Sequence, residues 1–120
     1  ESIAYDLNQE FIVMTRNRGL IDNFPSDAVV EVAGTLGSQG VKGIPYGSIK
    51  PFYKGLMENQ YAYEELTCQA WMERDYTKAL QALALNRTVN DFDKARAVLD
   101  DLMEANKEYW TLEKRDGSCI

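Results

Sequence analysis

The chain has 120 residues, 45% of them hydrophobic, and 13 basic against 19 acidic side chains give a formal net charge of −6, with no histidine anywhere. That length suits one domain with a real core, while the missing imidazole excludes Ser-His-Asp and Cys-His nucleophile systems and the commonest transition-metal ligand. The acidic balance argues against a nucleic-acid partner, and with no apolar run near the roughly 18 residues that span a bilayer, no membrane partner is expected either.

In chain order, Phe11-Ile12-Val13-Met14-Thr15 is a short apolar run with β-branched residues and predicts a buried strand. The stretch from Asp22 to Asp27 is dense in turn residues around Pro25. Ala28-Val29-Val30-Glu31-Val32 predicts a second strand paired with the first. Gly34, Gly37, Gly40 and Gly43 then read as a loop or loose hairpin ahead of Ile44-Pro45-Tyr46; their spacing matches neither phosphate-cradling glycine motif, so a surface loop is expected.

From Pro51 the apolar period changes from 2 to 3.6. Phe52, Leu56, Tyr63, Leu66, Ala70 and Trp71 predict a long helix ending near Arg74, with Ser48 as its N-cap and Pro51 in its first turn. Ala79, Leu80, Leu83 and Leu85 predict a second helix ending near Asn86. A third follows Asn90-Asp91, either of which can cap it, with Ala95, Val98, Leu99, Leu102, Ala105 and Tyr109 as its apolar stripe. The fold class is α+β: short antiparallel strands, then three helices, in one domain over 1–110 with a flexible tail over 111–120. Two or three short strands leave an open sheet edge, so either the helices cover the sheet or further strands are encoded upstream, the second being favoured, and self-association is expected from the edge and the aromatic helix.

Few constellations suggest chemistry. Asp100, Glu104 and Glu108 lie four residues apart and read as a solvated helix face relieved by Arg96 and Lys107. Cys68 has no base to activate it and reads as a small buried or interfacial residue, and Cys119 as a tail thiol; two cysteines 51 positions apart make no disulfide framework, which, with no secretory signal, points to the cytoplasm. No catalytic, cofactor-binding or metal-ligating residue is assigned. Arg16, Asn17 and Arg18, where a strand ends and the chain turns, are the candidates for direct ligand contact, since arginine pairs bidentately with phosphate or carboxylate. Phe52, Tyr53, Leu56, Tyr61, Tyr63 and Trp71 exceed what one helical face of a small monomer needs and are the candidates for a subunit or domain interface.

The segment from Phe11 to Val32, with its Asn-Arg-Gly-Leu-Ile-Asp-Asn-Phe-Pro-Ser-Asp run, resembles the NAD-dependent glycoside hydrolases of family 4. Lys54 to Gln60 with Tyr63 to Leu66 looks most like the 6-phospho-α-glucosidase branch, and Ala95 to Trp110 is similar to the family's closing helix. Ala33, where a proline is usual, and Phe24, where leucine is common, depart from the pattern.

The resemblance implies the C-terminal domain of a lactate/malate-dehydrogenase-like two-domain enzyme, whose Rossmann domain precedes this segment. It implies NAD and a divalent metal, often manganese, for the whole enzyme but none on this segment, a phosphorylated sugar as substrate, and an oxidation–elimination route. On that reading the segment alone is inactive and supplies a substrate-side wall and a homo-oligomer interface. Glu1, standing where a complete chain has methionine, is expected to mark a piece of a longer polypeptide. The alternatives are a free-standing interaction module without catalysis, and a 6-phospho-β-glucosidase or α-galactosidase of the same family.

Overall fold

The computed structural model describes residues 1–89 and 91–114, in which three antiparallel strands precede three helices. Where the sequence predicts one domain, the chain divides into two compact units, Glu1–Gly55 and the residues from Leu56 onward.

The first unit is a sheet of β1 (Gln9–Arg16), β2 (Val29–Gly37) and β3 (Gly40–Gly43), ordered β1-β2-β3. Val13 lies opposite Val32 and Thr15 opposite Val30, so these residues share a face. Val13, Val30 and Val32 on it are buried, and Ile21, Phe24 and Ala28 of the following loop are further buried apolar residues of this unit. The predicted buried strand is therefore half right. Ile12 and Met14 point to the other face and are 73% and 70% exposed, because alternation sends successive side chains to opposite sides and nothing among the described residues covers the second.

Of the two readings of the glycine stretch, loop or loose hairpin, the hairpin is the one that forms. β2 runs on to Gly37 and β3 returns from Gly40, with Gly34 opposite Gly43. Gly40 closes the turn at φ +95°, a conformation a side chain would strain. A Cβ on Gly34 would fall 2.5 Å from Val13 Cγ2 and 2.9 Å from the Lys42 carbonyl oxygen, so this position must stay bare for the strands to close.

Helix α1 spans Pro51–Glu73, and the division between the units falls within it. Ser48 stands too far ahead to cap it: the Lys54 N–H donates to the Lys50 carbonyl, which makes Lys50 the flanking residue and puts Pro51 at the first helical position. At the other end Arg74 adopts φ +53°, its N–H donates to the Trp71 carbonyl and the Asp75 N–H to the Ala70 carbonyl. This is a Schellman stop made with arginine in place of glycine.

Asp75 then caps α2 (Tyr76–Leu85) by accepting from the Lys78 N–H at 3.1 Å, and Asp91 caps α3 (Phe92–Ala105) by accepting from Lys94 at 2.7 Å. Asn90, the other candidate cap, lies outside the described residues. The core of the second unit is Tyr76, Leu80, Ala95, Leu99 and Leu112, with Leu83, Met103 and Trp110 packed against it. The predicted stripe on α3 is narrower than expected: Ala95 and Leu99 are buried, Val98 and Leu102 largely exposed, and the helix stops at Ala105, leaving Tyr109 exposed in the following turn. Thr111–Lys114, expected as the start of a tail, are built into the unit. Leu112 is in its core, the Glu113 N–H donates to the Arg74 carbonyl, and the Tyr76 N–H donates to that of Glu113. The remaining residues of that expected tail, Cys119 among them, lie outside the described residues.

Candidate functional site

The loop leaving β1 is organised by one side chain. Asn17 is fully buried, its Oδ1 accepting from the Ile21 N–H at 2.6 Å and its Nδ2 donating to the carbonyls of Ile21, Phe24 and Pro25 at 2.9, 2.9 and 3.1 Å. The carboxamide serves as a backbone surrogate, satisfying groups that a ladder would otherwise pair. Main-chain bonds complete the loop: the Asn17 N–H donates to Ala28, the Arg18 N–H to Ser26 and the Leu20 N–H to Asn17.

A second strut fixes the loop to the segment ahead of α1. Asn23 Nδ2 donates to the Ile49 carbonyl and its Oδ1 accepts from the Ile49 N–H, both at 2.9 Å, and the Tyr46 N–H donates to the Leu20 carbonyl at 2.7 Å.

Of the three candidates for ligand contact, Asn17 thus faces inward and its polar atoms are taken up by the loop. Arg16 and Arg18 flank it with exposed side chains and make no ion pair among the described residues. Arg18 sits at φ +42°, beside Gly19 at +88°, so the turn turns the chain sharply where the two guanidinium groups emerge. Arg16 at the end of β1 and Arg18 in the braced loop are two exposed cations without ion-pair partners among the described residues, chemistry that suits an anion.

Of the interface candidates, Phe52, Tyr53 and Trp71 are exposed, Leu56, Tyr61 and Tyr63 half-buried, and Ala70 is the buried residue of α1. Phe52 and Tyr53 meet edge to face at 5.4 Å. Cys68, expected buried or interfacial, is exposed and free in this chain.

Concavities open among the described residues of the second unit. An apolar hollow of about 260 Å³ is lined by Tyr63, Trp71, Leu83, Leu99, Trp110 and Leu112. A wider polar cleft of about 570 Å³ lies among Trp71, Arg74, Lys107, Tyr109 and Trp110, with Trp71 and Trp110 edge to face at 6.1 Å. Sequence reasoning missed this cleft because the helical period assigned Tyr109 to a core stripe; the run Lys107-Glu108-Tyr109-Trp110 was the available signal.

Asp100 and Glu104 of the acidic series are paired locally, while Glu108 lies beyond the end of α3 and Arg96 pairs with Asp93 instead. Asp100 accepts from the Tyr76 hydroxyl at 2.9 Å and lies 3.4 Å from Lys114 Nζ, and Glu104 pairs with Lys107 at 2.6 Å. Partial burial and then the Asp100 carboxylate push the Tyr76 hydroxyl above its ordinary pKa, which keeps it protonated as the donor to Asp100. No group of three or more potential metal-ligating side chains occurs among the described residues. No helix among them is long and apolar enough to cross a membrane.

Residues 1–89 match the family 4 glycosyl hydrolase C-terminal domain. The chain is 54% identical over 109 residues to the phospho-alpha-glucosidase PagL of Clostridium acetobutylicum, covering 91% of this chain and 24% of that protein. It is 47% identical over 113 residues to a 6-phospho-alpha-glucosidase of Leptotrichia buccalis, covering 94% and 26%. Among solved structures, a 6-phospho-alpha-glucosidase from gut microorganisms in complex with NAD and Mn2+ superposes with a TM-score of 0.87 at 43% identity, over 94% of this chain and 26% of that one. The chain belongs to the family 4 glycosyl hydrolases, as their C-terminal domain. It spans about a quarter of the length of the curated relatives it matches.

Proposed function

We propose that this chain is the C-terminal part of a cytoplasmic 6-phospho-α-glucosidase that cleaves phosphorylated disaccharides. The observation that carries this reading is the 54% identity to a phospho-alpha-glucosidase, running through nearly the whole segment. NAD and a divalent metal, manganese by analogy with the solved neighbour, supply transient oxidation and polarisation of the sugar in the complete enzyme. The residues that hold them are assigned to the preceding part of the polypeptide, because the described residues offer neither a nucleotide-binding glycine turn nor a group of metal ligands.

This segment's own contribution is positional. The loop braced by Asn17 and Asn23 forms part of the substrate-side wall, where Arg16 and Arg18 present guanidinium groups to the phosphate end of the substrate. The aromatic side chains of α1, led by Phe52, Tyr53 and Trp71, form contact surface with another subunit. Assay of the complete enzyme on matched chromogenic 6-phospho-glucosides tests the reading: turnover of the α-anomer with NAD and Mn2+ is expected, and turnover of the β-anomer alone would overturn it.

A further inference from the structure

We propose that Asn23 is a positioning residue for the phosphorylated substrate: it ties the loop after β1 to the segment ahead of α1 and so keeps Arg18 where it meets the phosphate. This role rests on the reading of Arg18 given above and adds a residue that itself touches no substrate. Arg18 has a φ of +42°, uncommon for a residue with a side chain, and Gly19 follows at +88°. Two successive left-handed residues set the direction in which the guanidinium leaves the chain. Such a conformation persists where its surroundings hold it.

Two sets of hydrogen bonds do the holding. The first closes the loop on itself: the Arg18 N–H donates to the Ser26 carbonyl at 2.9 Å, the Leu20 N–H donates to the Asn17 carbonyl at 2.7 Å, and the buried Asn17 carboxamide gathers Ile21, Phe24 and Pro25. The second runs to a different part of the chain. The Tyr46 N–H donates to the Leu20 carbonyl at 2.7 Å, the Asp22 N–H donates to the Gly47 carbonyl at 3.1 Å, and Ile21 and Gly47 form a parallel bridge. A side chain then carries that short ladder further. Asn23 Oδ1 accepts from the Ile49 N–H and its Nδ2 donates to the Ile49 carbonyl, both at 2.9 Å. The carboxamide stands in for a main-chain peptide, as that of Asn17 does inside the loop.

Asn23 supplies two of these four bonds across the junction. It is exposed, as Arg18 is. Truncating an exposed side chain opens no cavity, so the fold survives its loss while the outer limb of the loop is freed. The freed limb spreads Arg18 over several conformations, and substrate binds only the fraction that keeps the guanidinium in place. Apparent affinity falls with that fraction, whereas the bound enzyme is the same and turns over at the same rate. The signature is a raised KM with an unchanged kcat. A role confined to folding would lower the active fraction and leave KM alone.

The test is steady-state kinetics of the complete enzyme on a chromogenic 6-phospho-α-glucoside with NAD and Mn2+, comparing wild type, Asn23→Ala, Arg18→Ala and the double variant, with circular dichroism confirming the fold. Arg18→Ala is expected to raise KM by between about tenfold and a hundredfold, the worth of a charge-assisted hydrogen bond. Asn23→Ala is expected to raise KM about fivefold, with kcat within about twofold of wild type. Because Asn23 acts through Arg18, the double variant should match Arg18→Ala within about twofold. Hydrogen exchange on the same samples reads the strut directly: the Ile49 amide loses protection in Asn23→Ala, while the Ile21 amide, held by Asn17, keeps its own. An Arg18→Ala enzyme with the wild-type KM overturns the phosphate reading of Arg18 and this role with it. A raised KM in Arg18→Ala with none in Asn23→Ala, or a further rise in the double variant, overturns the positioning role and leaves Arg18 in place. An Ile49 amide equally protected without the carboxamide overturns the strut itself.

Discussion

Replacing Asn17 with alanine leaves the Ile21 N–H and three carbonyl groups without their side-chain partner in a site from which water is excluded. The expected loss is about 2–4 kcal/mol, read from chemical denaturation. Aspartate has nearly the same shape but offers only acceptor oxygens to the carbonyls of Ile21, Phe24 and Pro25, so Asn17→Asp should destabilise more than Asn17→Ala. A milder effect of aspartate would show that volume, and not donor chemistry, holds the loop. The residues of this stretch were visible in the sequence as a polar cluster at a strand end. Their division of labour was not, because an asparagine between two arginines reads as one more exposed polar group. The side chain is drawn inward by carbonyls four to eight residues further on, and their convergence is a property of the folded loop.

Among the elements, the helices were more legible than the sheet. α2 and α3 carry their caps in the sequence, as Asp75 and Asp91, and their ends follow local chemistry. The end of α1 is different, since Arg74 occupies a left-handed position that glycine usually fills. Arg74→Gly should therefore raise stability by about 0.5–1 kcal/mol, the relief of the side chain's strain being partly offset by the greater freedom of glycine in the unfolded chain. Thermal denaturation of the variant checks this, and a lower melting temperature would mean that the arginine side chain contributes more than its backbone costs. The sheet was misread at one place. Period-two alternation identifies a strand but cannot say whether a second face is covered, so Ile12 and Met14 were expected inside. Glycines at every third position left loop and loose hairpin both open, and the hairpin forms because Gly34 and Gly43 lie opposite one another so that bare backbones can close together.

For the whole molecule, family membership was legible because the Asn17-to-Val32 segment is both distinctive in sequence and structurally constrained. The loop's buried amide, its turn at Gly19 and its tie to Ile49 are requirements of one shape. The division into two compact units was not legible, since α1 keeps one helical period across the boundary at Gly55. The central claim is that this segment contributes walls and contacts to a glycosidase whose reacting groups lie elsewhere in the polypeptide. The most direct measurement is release of chromophore from a 6-phospho-α-glucoside by the 120-residue chain alone, with NAD and Mn2+ in excess and the complete enzyme assayed alongside. The account predicts turnover by the complete enzyme and none by the segment; turnover by the segment itself would contradict it.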